Sequence, residues 1–303
     1  MNADTVYRCA AEATAPRGNT NVQRLLNLGC GSRYRVDLGW TNVDFKGVPG
    51  AVVEHNLAGG IPFRDQTFDV VYHSHLLEHL TRNDAERLMR ECVRVLKSGG
   101  VCRVAVPNME DICRQYLVAL ENALQGKAQA EGRYQWMLME LCDQLVRHYT
   151  GGEMADYLRQ PDVPERDFII SRIGNIAKSA FANASGRQSS VSANCPSRWR
   201  RGRRVARRAV DAFRRNWRRL LLTRNERKAL DVGWFRLRGE PHLWMYDRYS
   251  LRALLCSVGL ESVEACPPTA SRIAGWGRYY LDVDPDGIEH APDSLYMEGV
   301  RCR

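Results

Sequence analysis

The sequence predicts an α/β protein with a seven-stranded, mostly parallel sheet and a helical insertion. Between Val22 and Pro107, short apolar segments end in glycine or acidic residues and alternate with turns and a helical pattern. Residues 109–239 have a helical pattern, and one helix and two strands are predicted after them. Alternating strands and helices imply a parallel sheet covered on both faces. With 303 residues, 44% of them hydrophobic, the chain can bury one large core.

The first strand is predicted to end at a glycine turn. Leu25-Leu26-Asn27-Leu28 is an apolar run typical of a buried strand, and Gly29 and Gly31 follow it directly. Glycine lets backbone N–H groups approach a ligand closely. The second strand ends soon afterwards at Asp44, so the usual crossover helix between these strands must be abbreviated.

The remaining elements are predicted in order along the chain. Strands are expected over 51–54 and 68–72, a helix over 76–96 and a strand over 101–106. After the insertion, a helix is expected over 249–258, ended by Gly259, and strands over 261–265 and 295–301.

The first two strand ends together predict a nucleotide-type cofactor site. A carboxylate at the position of Asp44 can accept both ribose hydroxyls of an adenosine cofactor. Its distance from the glycines is shorter than in dinucleotide-binding enzymes, and Tyr34 stands where their third glycine would be. Both facts argue against NAD.

Four phrases in this region resemble the class I S-adenosylmethionine-dependent methyltransferases. They are Leu-Asn-Leu-Gly-Cys-Gly at 26–31, Asn-Val-Asp at 42–44, Ile-Pro-Phe-x-Asp-x-x-Phe-Asp-Val-Val at 61–71 and Leu-Leu-Glu-His-Leu at 76–80. The resemblance continues over 95–107 and from Trp244 to the C-terminus. Residues 140–147 and 151–154 are similar to an insertion in bacterial methyltransferase-like proteins that are often associated with glycan biosynthesis.

This resemblance implies a Rossmann-like fold that binds S-adenosyl-L-methionine. The residues implied to hold the cofactor are Gly29, Cys30, Gly31 and Asp44, with Asn56 and Leu57 at the adenine and Ser74 and His75 at the methionine end. The resemblance also suggests an enzyme that O-methylates a saccharide or another small metabolite. The rival prediction is a non-catalytic cofactor-binding module, tethered to a membrane or nucleic acid by a basic tract.

A hydroxyl acceptor is helped by a general base with a pKa near neutrality, which points to histidine. The candidates are His75, His148 and His242, and His75 is preferred because it follows the fourth predicted strand. Residues 75–79 also spell the His-x-x-Glu-His pattern of inverted zinc peptidases, in which a helix presents both histidines on one face. The methyltransferase resemblance explains the phrase without a metal. No metal or disulfide framework is expected, since the ten cysteines form no Cys-x-x-Cys pair.

The positive charge is concentrated in one tract. Residues 197–228 contain fourteen Arg or Lys and two acidic residues, an excess larger than the whole net charge of +9. Apolar residues spaced along the tract predict an amphipathic helix that packs as a lid or lies on an anionic membrane surface; nucleic acid is a less favoured partner.

The predicted domain organisation has four parts. Residues 1–18 form a mobile arm, 19–108 and 240–303 form the methyltransferase domain, and 109–239 form the insertion or lid. The start of the chain lacks the pattern of a signal peptide, and no apolar run could span a bilayer. The expected location is therefore cytoplasmic, with a peripheral position at the inner membrane face as a further expectation.

Overall fold

The computed structural model describes residues 23–184 and 222–302 of the chain. Seven strands form one sheet: β1 (Leu25–Leu28), β2 (Trp40–Asp44), β3 (Val53–Glu54), β4 (Phe68–Ser74), β5 (Leu96–Pro107), β6 (Leu260–Cys266) and β7 (Ser294–Arg301). Their order is β3-β2-β1-β4-β5-β7-β6, and only β7 runs antiparallel to its neighbours. The predicted Rossmann-like, mostly parallel sheet is confirmed. The strand order reverses between β1 and β4, which is where such sheets bind ligands.

Some of the described helices pack against the sheet, and the others form the insertion. They are α1 (Arg82–Val95), α2 (Met109–Leu124), α3 (Ala130–Val146), α4 (Gly152–Leu158), α5 (Arg166–Ile173), α6 (Asn175–Ala184), α7 (Arg224–Arg236) and α8 (Arg248–Ser257). Helix α8 ends next to Gly259, as predicted, and this glycine has a φ of +94°. No described helix is long and apolar enough to cross a membrane.

The predicted helix over 76–96 is wrong at both ends. A 3₁₀ turn over Leu77–His79 comes first, and α1 begins only at Arg82, where the Thr81 side chain accepts a hydrogen bond from the Asp84 N–H. At the other end, Leu96 already belongs to β5 and pairs with Phe68 of β4. The apolar spacing extends across these boundaries, whereas the Thr81 cap and the strand pairing define them.

The two faces of the sheet are covered differently. Residues Leu26, Leu28 and Val71 pack in a core that includes apolar side chains of α1 and α8. Leu25 and Tyr72 point to the opposite face. This alternation is the period of two expected of a strand.

The short spacing predicts an abbreviated crossover helix between β1 and β2, and in the structure this connection contains no helix. The face that a crossover helix would cover is instead packed by the C-terminal 3₁₀ turn Trp276–Tyr279. Trp40 of β2 meets Tyr279 edge-on, with ring centroids 5.3 Å apart.

The described part of the insertion is helical. Helices α2 to α6 contribute to a second core around Trp136, Met137 and Ile169, which are fully buried. The predicted N-terminal arm and residues 197–221 of the basic tract lie outside the described residues.

Candidate active site

The carboxyl ends of β1, β4 and β5 open into a cavity of about 510 Å³. The sheet side contributes the glycine turn after β1, the end of β4 and Pro107 of β5. The insertion forms another wall, and residues just before β7 form a third. Since the strand order reverses between β1 and β4, the cavity lies at the ligand-binding edge of the sheet.

The glycine turn is shaped by left-handed backbone. Gly29 has a φ of +61° and Gly31 a φ of +53°. A Cβ on Gly29 would lie 3.0 Å from the Leu76 side chain, whereas one on Gly31 would meet nothing within 4 Å. A side chain at Gly29 would strain the backbone and displace the Leu76 side chain, whereas Gly31 leaves its backbone open to a ligand.

Asp44 joins the end of β2 to this turn. Its Oδ2 accepts a hydrogen bond from the Gly31 N–H at 2.9 Å, and its Oδ1 accepts one from the Lys46 N–H at 3.0 Å. An ionised carboxylate has about four acceptor sites, so two backbone bonds leave capacity for two ribose hydroxyls. Asp44 lies beside the glycine turn and not on the cavity wall.

Cys30 lines the cavity between the two glycines. Burial, followed by the charge of Asp44, raises the pKa of the thiol to about 12. The thiol therefore stays neutral, which makes it a poor nucleophile.

The residues predicted at the adenine have local structural partners. The Asn56 side chain accepts a hydrogen bond from the Ala58 N–H at 3.1 Å and caps a 3₁₀ turn over Leu57–Gly59. Leu57 packs against the sheet core. Neither residue lines the cavity, so their adenine role stays a prediction.

Ser74 and His75 lie on the cavity wall at the end of β4. His75 has a φ of +52°, a left-handed conformation that is costly for a residue with a Cβ. Its Nδ1 lies 3.1 Å from Oε1 of the buried Glu78, and its Nε2 lies 2.9 Å from the Ser294 hydroxyl oxygen. Both ring nitrogens thus have partners that fix the orientation of the imidazole.

The surroundings of His75 favour its protonated form. Burial opposes the positive charge, but the adjacent Glu78, followed by Asp293 and Asp282, outweighs burial and raises the pKa of His75. Asp293 lines the same cavity, and burial raises the pKa of its carboxyl group.

The other two candidate histidines are placed elsewhere. His148 is exposed after α3, and His242 is buried in the loop before Trp244. Neither lines the cavity, whereas His290, which the sequence analysis does not consider, does.

The insertion supplies cavity residues that the sequence analysis does not assign. Gln144 and Arg147 are polar, and Arg147 is neutralised by Asp143 at 3.0 Å. The rest of this wall is mainly apolar and includes Met154, Ala155, Leu158, Ile173 and Ile176. The segment 140–154 was identified only by resemblance, because nothing in its residue types indicates that the fold returns it to the β1 turn.

The comparisons with known proteins agree with this architecture. Residues 26–104 match the family model described as a methyltransferase domain. Two curated proteins of Mycobacterium tuberculosis, from strains CDC 1551 / Oshkosh and ATCC 25618 / H37Rv, are each described as a probable S-adenosylmethionine-dependent methyltransferase. Each is 34% identical to this chain over 118 residues, an alignment that covers 34% of this chain and 41% of the relative. The chain thus matches less than half the length of these relatives.

Two solved structures are also similar. A SAM-dependent methyltransferase from Archaeoglobus fulgidus is 12% identical, with a TM-score of 0.36 over 93% of this chain and 87% of that one. A SAM-dependent methyltransferase from Thermotoga maritima is 13% identical, with a TM-score of 0.36 over 97% and 86%. Residues 26–104 are therefore similar to a methyltransferase domain, and they contribute the parallel strands β1 to β5 of a Rossmann-like sheet.

Proposed function

We propose that this protein is an S-adenosylmethionine-dependent methyltransferase that methylates a hydroxyl group, with His75 as the general base. The observation that carries the proposal is the position of His75. It lies in the same cavity as the open glycine turn, is held by Glu78 and Ser294, and has a left-handed backbone. Strained residues with fixed orientations are concentrated at active sites.

The residues present fit the adenosyl cofactor. The open backbone at Gly31 and the remaining acceptor capacity of Asp44 are suited to a nucleoside, and the cavity leads from this turn to His75. Bound there, S-adenosylmethionine would supply an activated methyl group on a positively charged sulfur. The curated relatives that carry this cofactor in their descriptions support the assignment.

The contribution of the protein is alignment, water exclusion and proton removal. Gly29 to Gly31 and Asp44 would hold the nucleoside, while the apolar insertion wall would keep water from the reacting atoms. The neutral form of His75, which becomes more populated as the pH rises through its raised pKa, would accept the proton of the acceptor hydroxyl on Nε2, the nitrogen that faces Ser294. The negative charge of Glu78, 3.1 Å from Nδ1, electrostatically favours a proton on that nitrogen, which would leave Nε2 unprotonated in the neutral ring.

The acceptor is proposed to be a saccharide or another small metabolite. Gln144 and Arg147 offer polar contacts, but Met154 and Leu158 make much of the same insertion wall apolar. Such a wall favours an acceptor that presents an apolar face beside its hydroxyl, such as a saccharide with an aromatic or lipid substituent.

Transfer of a labelled methyl group to a panel of saccharides and aromatic alcohols tests the proposal. With an accepted substrate, His75→Gln should lower kcat by roughly 10²–10⁴ and change KM less, because a general base acts in the transition state. His148→Gln is the matched control, because it replaces an exposed histidine outside the cavity.

Two results would count against the proposal. A folded wild-type protein that does not bind S-adenosylmethionine or its demethylated product would overturn the whole assignment. Unchanged turnover in His75→Gln would remove His75 from the chemistry and make Asp293 the next candidate base.

A further inference from the structure

Three potential metal ligands come together behind the cavity wall. Glu78 and His79 belong to the 3₁₀ turn that follows β4, and His242 lies in the loop that joins the insertion to the C-terminal part of the domain. The ligand atoms of these three side chains all lie within 4.8 Å of one another. None of the three residues lines the cavity.

Backbone hydrogen bonds hold these two distant segments together. The N–H groups of Leu243 and Trp244 both donate to the Glu78 carbonyl oxygen, at 2.7 and 3.2 Å. The neighbouring His242 N–H donates to the Gln144 carbonyl at 2.9 Å. The loop that carries His242 is therefore fixed against the turn that carries Glu78 and His79.

Glu78 lacks the partners that a buried carboxylate needs. Its side chain is fully buried, and within the described part of the chain neither carboxylate oxygen accepts a well-aligned hydrogen bond. His75 Nδ1 lies 3.1 Å from Oε1, so a protonated His75 compensates part of the charge without an aligned hydrogen bond. Because both carboxylate oxygens lack an aligned donor, a second positive group beside Glu78 would stabilise the buried carboxylate further.

Each of the two histidines has an outer contact at its Nδ1 atom. His79 Nδ1 lies 3.4 Å from the Pro241 carbonyl oxygen, and His242 Nδ1 lies 3.4 Å from the Met245 sulfur. We assign the ring proton of each to Nδ1 from these contacts, which leaves the other ring nitrogen with a lone pair. An outer partner that fixes the tautomer is the usual arrangement behind a metal-bound imidazole.

We propose that Glu78, His79 and His242 bind one zinc-class divalent ion. Two imidazoles and one carboxylate are a donor set that suits Zn²⁺, whereas Mg²⁺ and Ca²⁺ prefer oxygen ligands. The ion would compensate the buried carboxylate and fasten the 242 loop to the turn behind His75. The proposed site differs from the His-x-x-Glu-His arrangement considered for the sequence. Residues 77–79 form a 3₁₀ turn, and His242 replaces His75 as a ligand.

Zinc titration of the chelator-treated full-length protein tests this site independently of methyl transfer. Calorimetry should show one ion per chain, and the ion should raise the Tm because it binds the folded state. His79→Ala and Glu78→Gln should weaken binding by at least about 100-fold, since changes to outer partners alone cost 10- to 100-fold. His148→Ala and Cys142→Ser are matched controls for an exposed histidine and an exposed thiol, and both should bind as the wild type does.

Cobalt substitution keeps the test decisive if a variant is destabilised. Co²⁺ in the wild type should give the visible absorption of a tetrahedral nitrogen and oxygen site, and folded His79→Ala should lose it. Because His79 is only partly buried, its replacement is the variant expected to fold best. Absence of stoichiometric zinc binding by the folded wild type would overturn the proposal. Equal binding by His79→Ala, or loss of binding in Cys142→Ser, would do so too.

Discussion

At the scale of single residues, Asp44 has an observed structural role and a proposed role in ligand binding, and the two can be separated. It holds the glycine turn through the Gly31 N–H, and under the proposal its remaining acceptor sites would bind the ribose. The first function needs one oxygen atom, whereas strong ribose binding needs a charged carboxylate. The amide variant Asp44→Asn can therefore keep the turn and still lose affinity.

We expect Asp44→Ala to weaken binding of S-adenosylmethionine by about 10-fold or more, because a hydrogen bond to a charged group contributes ~1.5–3 kcal/mol. Asp44→Asn should fall between this variant and the wild type. Calorimetry with Asp162→Ala as an exposed control would measure the effect. Equal affinity in all four proteins would exclude Asp44 from cofactor binding.

His73, two residues before His75, makes stability sensitive to acid. It is fully buried in β4, its Nε2 lies 3.3 Å from the Met89 sulfur, and burial lowers its pKa from 6.5 to about 4. The folded state therefore binds fewer protons than the unfolded state between these values. The stabilising contribution is complete above pH 6.5 and is lost as the pH falls towards 4.

Replacement of His73 by Leu should reduce this acid sensitivity. Between pH 7 and pH 5, the wild type should lose about 2 kcal/mol of unfolding free energy through His73. Urea unfolding of His73→Leu at the two pH values should show a loss smaller by about that amount. The exposed control His148→Leu should behave as the wild type does, and an unchanged loss in His73→Leu would refute the explanation.

At the scale of elements, the turn between β4 and α1 decides where Glu78 and His79 lie relative to His75. If residues 76–96 formed one helix, as the apolar spacing predicts, Glu78 and His79 would lie on helical faces. The Thr81 cap starts α1 later, and the residues before it form a 3₁₀ turn that directs Glu78 towards His75. Hydrophobic spacing indicates which residues are buried, but it does not distinguish a helix from a turn that precedes one.

The Thr81 cap should contribute measurably to stability. Its hydroxyl oxygen accepts a hydrogen bond from the Asp84 N–H at 3.2 Å, so Thr81→Ala should cost about 1 kcal/mol in unfolding free energy. Thr81→Ser keeps the hydroxyl group and should retain most of this stability. Urea unfolding at pH 7 would compare the three proteins, and equal losses for Ala and Ser would contradict a capping role.

At the scale of the whole molecule, the charge of the chain is unevenly distributed along the sequence. The tract over 197–228 holds more than the entire net positive charge, so the rest of the chain is net acidic. Such a tract, with Phe213 and Trp217 among its arginines, is suited to an anionic membrane surface, which we propose as its partner. Membrane proximity would also suit a lipid-linked acceptor.

We expect the protein to sediment with anionic vesicles and not with neutral ones, and to be released as salt screens the attraction. Replacing Arg207, Arg208, Arg214 and Arg215 with Gln should weaken binding by several orders of magnitude, at ~1 kcal/mol per cation. Gln at the exposed Arg87, Arg90, Arg114 and Arg252 is the matched control. If both variants bind vesicles equally, or if RNA competes with vesicles for the tract, the membrane proposal fails.

The fold class and the position of the glycine turn beside Asp44 could both be predicted from the sequence. Apolar strands that end in glycine at 29–31 and in Asp44 are local features, and local patterns define where strands lie and where a parallel sheet binds ligands. The short β1–β2 spacing similarly predicted that the crossover helix is abbreviated, and the structure has no helix there. The spacing did not identify the distant segment around Trp276, which covers the sheet face that a crossover helix would otherwise cover.

The tertiary structure alone decided which distant residues join the site. His75 could be selected from sequence because it follows a predicted strand, but Arg147 and Asp293 reach the same cavity from the insertion and from the segment before β7. His242 likewise meets Glu78 only because two backbone hydrogen bonds fix its loop. Contacts between residues so far apart in sequence depend on how helices and strands pack, and a single sequence does not encode that packing in any local pattern.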